Sequence, residues 1–218
     1  EKLMAERDEN DQAKFTASVR MPKEDGGQLR GNVAFQAVDE YSNTSDKKTD
    51  TDHVIVVDTI APQMTADYTQ ASRTVGSTMY YNKEMTATFT VTEANFYAED
   101  VVVEVSKNGE EFLPVSPAWR NLSADLHIGT CTIAAPADHS GDGDYRFRVK
   151  YTDRSSNEMT EYISDTITVD TIQPVIHVEY RDQNPVNTLT DTENHARKYF
   201  RTTQSATVTV TEHNFDAD

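Results

Sequence analysis

Carboxylates and side-chain amides recur in this sequence in a fixed order, and they are the residues best placed to do chemistry. Asp39 and Asn43 lie in "VDEYSN", and Asp153 and Asn157 lie in "TDRSSN". Asp58 sits in "VDTIAP" (57–62) and Asp170 in "VDTIQP" (169–174). Glu93 belongs to "FTVTEANF" (89–96) and Glu212 to "VTVTEHNF" (208–215). Oxygen ligands brought together from separate segments are what a calcium ion takes. Asp39, Asn43, Asp58, Asp153, Asn157 and Asp170 are therefore candidate calcium ligands. The same residue types have a simpler use that comes first: Asp and Asn cap turns by accepting hydrogen bonds from nearby backbone N–H groups. Glu93 and Glu212 are expected to bond backbone N–H groups of a neighbouring loop. Phe96 and Phe215 are expected to tuck under a turn, with Asn95 and Asn214 in an Asx turn or an unusual backbone conformation.

Other chemistries lack their residues. The six histidines fall at 53, 127, 139, 177, 195 and 213, with no His-x-x-x-His or Glu-x-x-His spacing. No serine sits in a nucleophile elbow and no Gly-rich phosphate loop is present. "DHSGDGD" (138–144) begins like an EF-hand loop, but the residue at the bidentate position is Val149. The expectation is a non-catalytic chain with no cofactor beyond possible calcium. Its formal net charge of −17 repels phosphate backbones, so nucleic acid is a poor partner. The single cysteine, Cys131, excludes an internal disulfide. The longest aliphatic runs, "VIVV" and "VVV", are far too short to span a membrane.

The recurring phrases are parts of a larger repeat. "FQAVDEYSN" (35–43) aligns with "VKYTDRSSN" (149–157), and Pro22 falls opposite Pro136. Met64, Ala66 and Tyr68 fall opposite Ile176, Val178 and Tyr180. The later copy carries an insertion around 182–194. Blocks that recur in one order mark an internal repeat and place its boundaries. Residues 59–170 form one complete unit, 1–58 match its C-terminal part, and 171–218 match its N-terminal part. The chain reads as a window on an array that begins and ends mid-unit. The opening "EKLMAERDENDQAKF" has helix-friendly composition but aligns with 115–129, and is read as a frayed end.

Those units must be built from strands. Tyr145, Phe147, Val149 and Tyr151 alternate with Arg146, Arg148 and Lys150, which predicts a strand with one buried and one wet face. Met85, Ala87, Phe89 and Val91 alternate with threonines. Val101, Val103 and Val105 form another strand, closed by Asn108-Gly109, a strong hairpin signal. Further strands are expected at 64–68, about 112–119, about 128–134 and 161–169. About seven short strands in one unit predict an all-β fold of tandem immunoglobulin-like β-sandwiches, one complete and two partial. Tyr145 stands near the place of a tyrosine corner. Trp119 is off the expected strand C and is assigned a packing role. The "VDTI.P" phrase is read as the seam, with a three-residue connection and a proline that stiffens entry into the next strand.

Three phrases, "TVTEANF/TVTEHNF", "GDYRFRVKYTDRSSN" and "VDTIAP/VDTIQP", resemble the bacterial Ig-like tandem repeats of large Firmicutes surface proteins. The usual Ala-Gly-Asn corner of that family reads "SSN" (155–157) and "YSN" (41–43) here, so the sequence suggests that no glycine-type backbone is enforced there. The resemblance implies an extracellular or cell-surface segment that acts as a stalk, spacer or adhesion module. Its partners would be neighbouring Ig-like repeats, and a host or cell-wall glycan or protein. The alternative is a carbohydrate-binding β-sandwich accessory to a secreted glycoside hydrolase, with pairs such as Tyr80-Tyr81 and Phe96-Tyr97 as a stacking surface. A phage decoration module is a lesser alternative.

Overall fold

Period-two alternation turns into strands throughout the computed structural model, which describes residues 3–21, 28–181, 184–193 and 195–214. Before the first seam run β1 (Glu6–Arg7), β2 (Phe15–Thr16), β3 (Leu29–Gly31), β4 (Ala34–Phe35), β5 (Lys48–Thr49) and β6 (Ile55–Val57). The complete unit opens with β7 (Gln63–Tyr68), β8 (Arg73–Val75), β9 (Thr78–Tyr81) and β10 (Met85–Thr92). It continues with β11 (Val101–Lys107), β12 (Leu113–Val115), β13 (Ala118–Asn121) and β14 (Leu126–Ile133). It closes with β15 (Gly143–Tyr151), β16 (Tyr162–Ile163) and β17 (Ile167–Val169). Beyond the second seam lie β18 (Val175–Tyr180), β19 (Asn187–Thr190), β20 (Ala196–Tyr199) and β21 (Ala206–Thr211).

The chain is all-β, and the complete unit pairs its strands into two sheets. One has the order β13-β14-β10-β7; the other has β12-β11-β15-β17-β9-β8, with β16 beside β15. Every pair is antiparallel except β9 with β17. The inward residues of both sheets meet in one core. Met85, Ala87, Phe89 and Val91 come from β10, and Phe147 and Val149 from β15, all fully buried. Phe89 packs edge-on against Phe147 with centroids 5.6 Å apart, and Tyr68 lies 6.3 Å from the same ring. Tyr68 and Tyr162 join their hydroxyls at 2.8 Å across the two sheets.

Turn residues act as their chemistry requires. Asn108 (φ 54°) and Gly109 (φ 75°) form the tight turn between β11 and β12, with the Glu110 amide donating to the Lys107 carbonyl at 3.0 Å. The Tyr145 hydroxyl donates back to the Gly141 carbonyl at 2.7 Å, the bond that defines a tyrosine corner. Trp119 on β13 lies over Gly129 of β14, where an added Cβ would come 2.8 Å from the ring.

Three pairings of the end segments have twins in the complete unit. Tyr180, Val178 and Ile176 face Ala206, Val208 and Val210, as Tyr68, Ala66 and Met64 face Ala87, Phe89 and Val91. Leu29 faces Val57 as Gly143 faces Val169. Phe35 faces Lys48 as Val149 faces Tyr162. The opening segment is a hairpin in which Arg7 faces Phe15, with the Arg7 guanidinium 5.0 Å over the Phe15 ring. The helix-friendly residues there are overruled by this pairing. The expected insertion is a lengthened hairpin, with Tyr199 of β20 paired to Asn187 where Tyr80 of β9 pairs to Arg73. Pro22 and Phe215, singled out in the sequence, lie outside the described residues.

Two local expectations change. The connection between β6 and β7 has no strand from 58 to 62, longer than three residues, and it is pinned by burial of Asp58 and Pro62. The corners at 41–43 and 155–157 do adopt a glycine-type backbone, with serine in it: Ser42 and Ser156 both stand at φ 68°. The bonds that close them match, from the Asp39 amide to the Asn43 carbonyl and from the Asp153 amide to the Asn157 carbonyl, each 3.0 Å.

Candidate functional site

The three recurring phrases converge at the seam. Asp58 follows β6, and its carboxylate turns to the loop after β10 in the next unit. Asn95 Nδ2 donates to Asp58 Oδ2 at 2.7 Å, while the Ile60 amide donates to Oδ1 at 3.1 Å. From the preceding unit, Gln28 Nε2 reaches the same Oδ1 at 2.7 Å, and Arg30 Nη1 reaches Asn95 Oδ1 at 3.4 Å. Glu93 Oε1 accepts the Asn95 amide at 2.6 Å, which shapes the loop so that Asn95 faces Asp58. The corner after β15 supplies the third side. Asn157 Nδ2 donates to the Asp58 carbonyl at 3.1 Å and to Asp153 Oδ2 at 2.8 Å. Asp153 Oδ1 accepts the Ser155 and Asn157 amides.

The second seam repeats the first. Asn214 Nδ2 donates to Asp170 Oδ2 at 2.5 Å, the Ile172 amide to Asp170 Oδ1 at 3.0 Å, and the Asn214 amide to Glu212 Oε1 at 3.1 Å. The repeated aspartate of each "VDTI" phrase is thus latched by the Glu-x-Asn loop that follows it along the chain. Behind the first latch, Phe96 stacks on His127 with centroids 4.1 Å apart, and lies against Trp119 and Tyr151. The buried His127 Nε2 donates to the Glu93 carbonyl at 2.8 Å, fixing the loop from below.

Asp58, Glu93 and Asp153 are all buried, and one carboxylate oxygen from each lies within 4.8 Å of the others. Such a cluster cannot keep three full charges cheaply in a low-dielectric place. Burial and the neighbouring Asp58 and Asp153 charges push the Glu93 carboxyl up, against the Asn95 amide that pulls it down. Burial also pushes Asp58 up, but the hydrogen bonds from Asn95, the Ile60 amide and Gln28 outweigh it, and its carboxyl ends below the ordinary range. The two neighbouring carboxyls are thus pushed in opposite directions, Glu93 toward its neutral form and Asp58 toward its anion. The set has the oxygen chemistry for a divalent cation. The amides already bonded to Asp58 and Asp153 fit the turn-cap reading equally well.

Of the candidate ligands, the structure brings Asp58 and Asp153 together and binds Asn157 to both. Asp39 and Asn43 form the twin corner, exposed, with Asp39 accepting the Tyr41 and Asn43 amides and the Asn43 side chain. Asp170 belongs to the second latch. Among the described residues, neither Asp39 nor Asp170 joins a three-carboxylate group. Asn95 escaped the sequence reading as a latch because its partner lies in another phrase; its bond is made across units and not within an Asx turn. Of the aromatics proposed for sugar stacking, Tyr81 is buried, Tyr80 is half-buried, Phe96 is half-buried in the ring cluster, and the Arg154 guanidinium covers Tyr97 at 3.4 Å. Among the described residues no helix is long and apolar enough to cross a membrane. No protein-family model, curated protein or solved structure matches this chain.

Proposed function

We propose that this chain is a non-catalytic extracellular spacer, a run of Ig-like modules in a large bacterial surface protein that holds a functional or adhesive domain away from its anchor. The observation that carries this reading is the latch. The most strongly repeated phrases are bonded to one another at the join between units, where a spacer needs its stiffness. The sheet order of the complete unit, the tyrosine corner and the twin registers of the end segments support an Ig-like tandem organisation. The packed state of Phe96, Tyr81 and Trp119 favours the spacer over the carbohydrate-binding alternative, which needs aromatic faces open to solvent.

The buried carboxylates give the seam a second holder to test, calcium bound by Asp58, Glu93 and Asp153. Calcium titration followed by thermal melting and small-angle scattering tests both points. A longer, stiffer particle with a higher melting temperature assigns the cation. An unchanged but already extended particle leaves the latch to the amides. A compact or freely jointed particle under both conditions overturns the spacer reading.

A further inference from the structure

We propose that Asn108 is a site of spontaneous modification, where the Gly109 amide nitrogen closes a succinimide ring on the side-chain carbonyl and hydrolysis leaves aspartate or isoaspartate in the turn after β11. Asn108-Gly109 is the sole Asn-Gly pair in the sequence. Glycine carries no Cβ, so no side chain beside its nitrogen hinders the attack. Both residues are exposed, and both stand in the left-handed region, at φ 54° and φ 75°.

The turn holds the electrophile and leaves the nucleophile and the leaving group free. Among the described residues, nothing accepts a hydrogen bond from the Gly109 amide or from Asn108 Nδ2. Asn108 Oδ1 is fixed instead. The Asp144 amide donates to it at 2.9 Å, and the Asn108 amide donates back to the Asp144 carbonyl at 2.7 Å. A backbone N–H aimed at that oxygen stabilises the negative charge it takes up when Cγ is attacked. Gly143 permits the approach, since a Cβ there would come 2.6 Å from Asn108 Oδ1. Other asparagines lack this combination. Nδ2 of Asn43 donates to Asp39, that of Asn95 to Asp58 and that of Asn157 to Asp153, and each is followed by a residue with a side chain.

The reaction consumes water alone. The Gly109 nitrogen gives its proton to hydroxide and bonds to Cγ; the Cγ–Nδ2 bond then breaks, and ammonia leaves with a proton from water. Water next adds to one of the two ring carbonyls, and the ring nitrogen leaves that carbon. Addition at Cγ gives aspartate in an unaltered main chain. Addition at the backbone carbonyl gives isoaspartate, whose main chain runs through Cγ and is one carbon longer. A tight turn has no room for that carbon, so the bond from the Glu110 amide to the Lys107 carbonyl is lost. The pairing of Val103 with Val115 and of Val105 with Leu113 loosens with it. Because β12 is the outermost strand beside β11, its release turns β11 into an open sheet edge. No step depends on how the units are joined.

The test ages the full chain at mildly alkaline pH, folded and in urea, beside the variant Asn108→Gly, which suits the same backbone and cannot cyclise. Mass spectrometry follows the tryptic peptide Asn108–Arg120, and hydrogen exchange follows residues 110–115. Asn108 is expected to convert before every other asparagine, at least as fast in the folded chain as in urea. The isoaspartate fraction is expected to lose exchange protection over β12, while Asn108→Gly keeps it throughout. An Asn108 that stays intact while another asparagine converts overturns the proposal. So does conversion that is slower folded than in urea, which would remove the part given to the Asp144 amide. Equal loss of β12 protection in Asn108→Gly, or unchanged protection in the isoaspartate fraction, overturns the structural consequence.

Discussion

Asp58, Glu93 and Asn95 show how single residues make a seam. Their energetics depend on pH in opposite directions. The depressed Asp58 pKa contributes stability that is present above the ordinary aspartate range and is lost as pH falls through the lowered value. The raised Glu93 pKa contributes stability that is present below the ordinary glutamate range and is lost as pH rises through the raised value. Melting temperature against pH should therefore form a hump on the acid side of neutrality, and Glu93→Gln should flatten its alkaline limb while keeping the acid one. A second residue-scale prediction concerns Ser156. An L-residue in the left-handed region costs roughly 1–2 kcal/mol, and glycine returns part of that gain to the unfolded chain, so Ser156→Gly should stabilise by about 0.5–1 kcal/mol in urea titration. The sequence displayed these residues as recurring letters. It hid their pairing, because Asp58 and Asn95, or Asp58 and Asn157, are distant along the chain and no local pattern joins them.

At the level of elements, strands with clean alternation were legible: β10, β11, β15 and β21 present an apolar residue at every second position. The hairpin turn at Asn108-Gly109 was legible for the same reason, since the residue types state the backbone they need. The β8–β9 hairpin was not, because "RTVGSTMYY" lacks a clean alternation and β9 is fixed by its parallel partner β17, which lies far along the chain. The β13–β14 pair carries its own test. Gly129→Ala places a Cβ about as close to Trp119 as 2.8 Å, against ring atoms, so the ring must shift. Overpacking of this kind costs about 1–3 kcal/mol. A shifted emission maximum from Trp119, the sole tryptophan, with a lower unfolding midpoint would show it.

Across the whole molecule, the same few contacts are laid down twice, at Asp58 and again at Asp170. That repetition is the basis for reading the chain as a stiff run of modules. At the first seam the Asp58 anion is met by Asn95, the Ile60 amide and Gln28, while burial pushes the neighbouring Glu93 carboxyl up. The most direct test is a double-mutant cycle on Asp58→Ala and Asn95→Ala, read from urea unfolding of the complete unit by Trp119 fluorescence. Hydrogen bonds to charged groups contribute about 1.5–3 kcal/mol, so the latch predicts a coupling energy of about 1–3 kcal/mol between the two sites. Additive effects, agreeing within about 0.5 kcal/mol, would mean that the two phrases do not hold each other and that the seam is not latched.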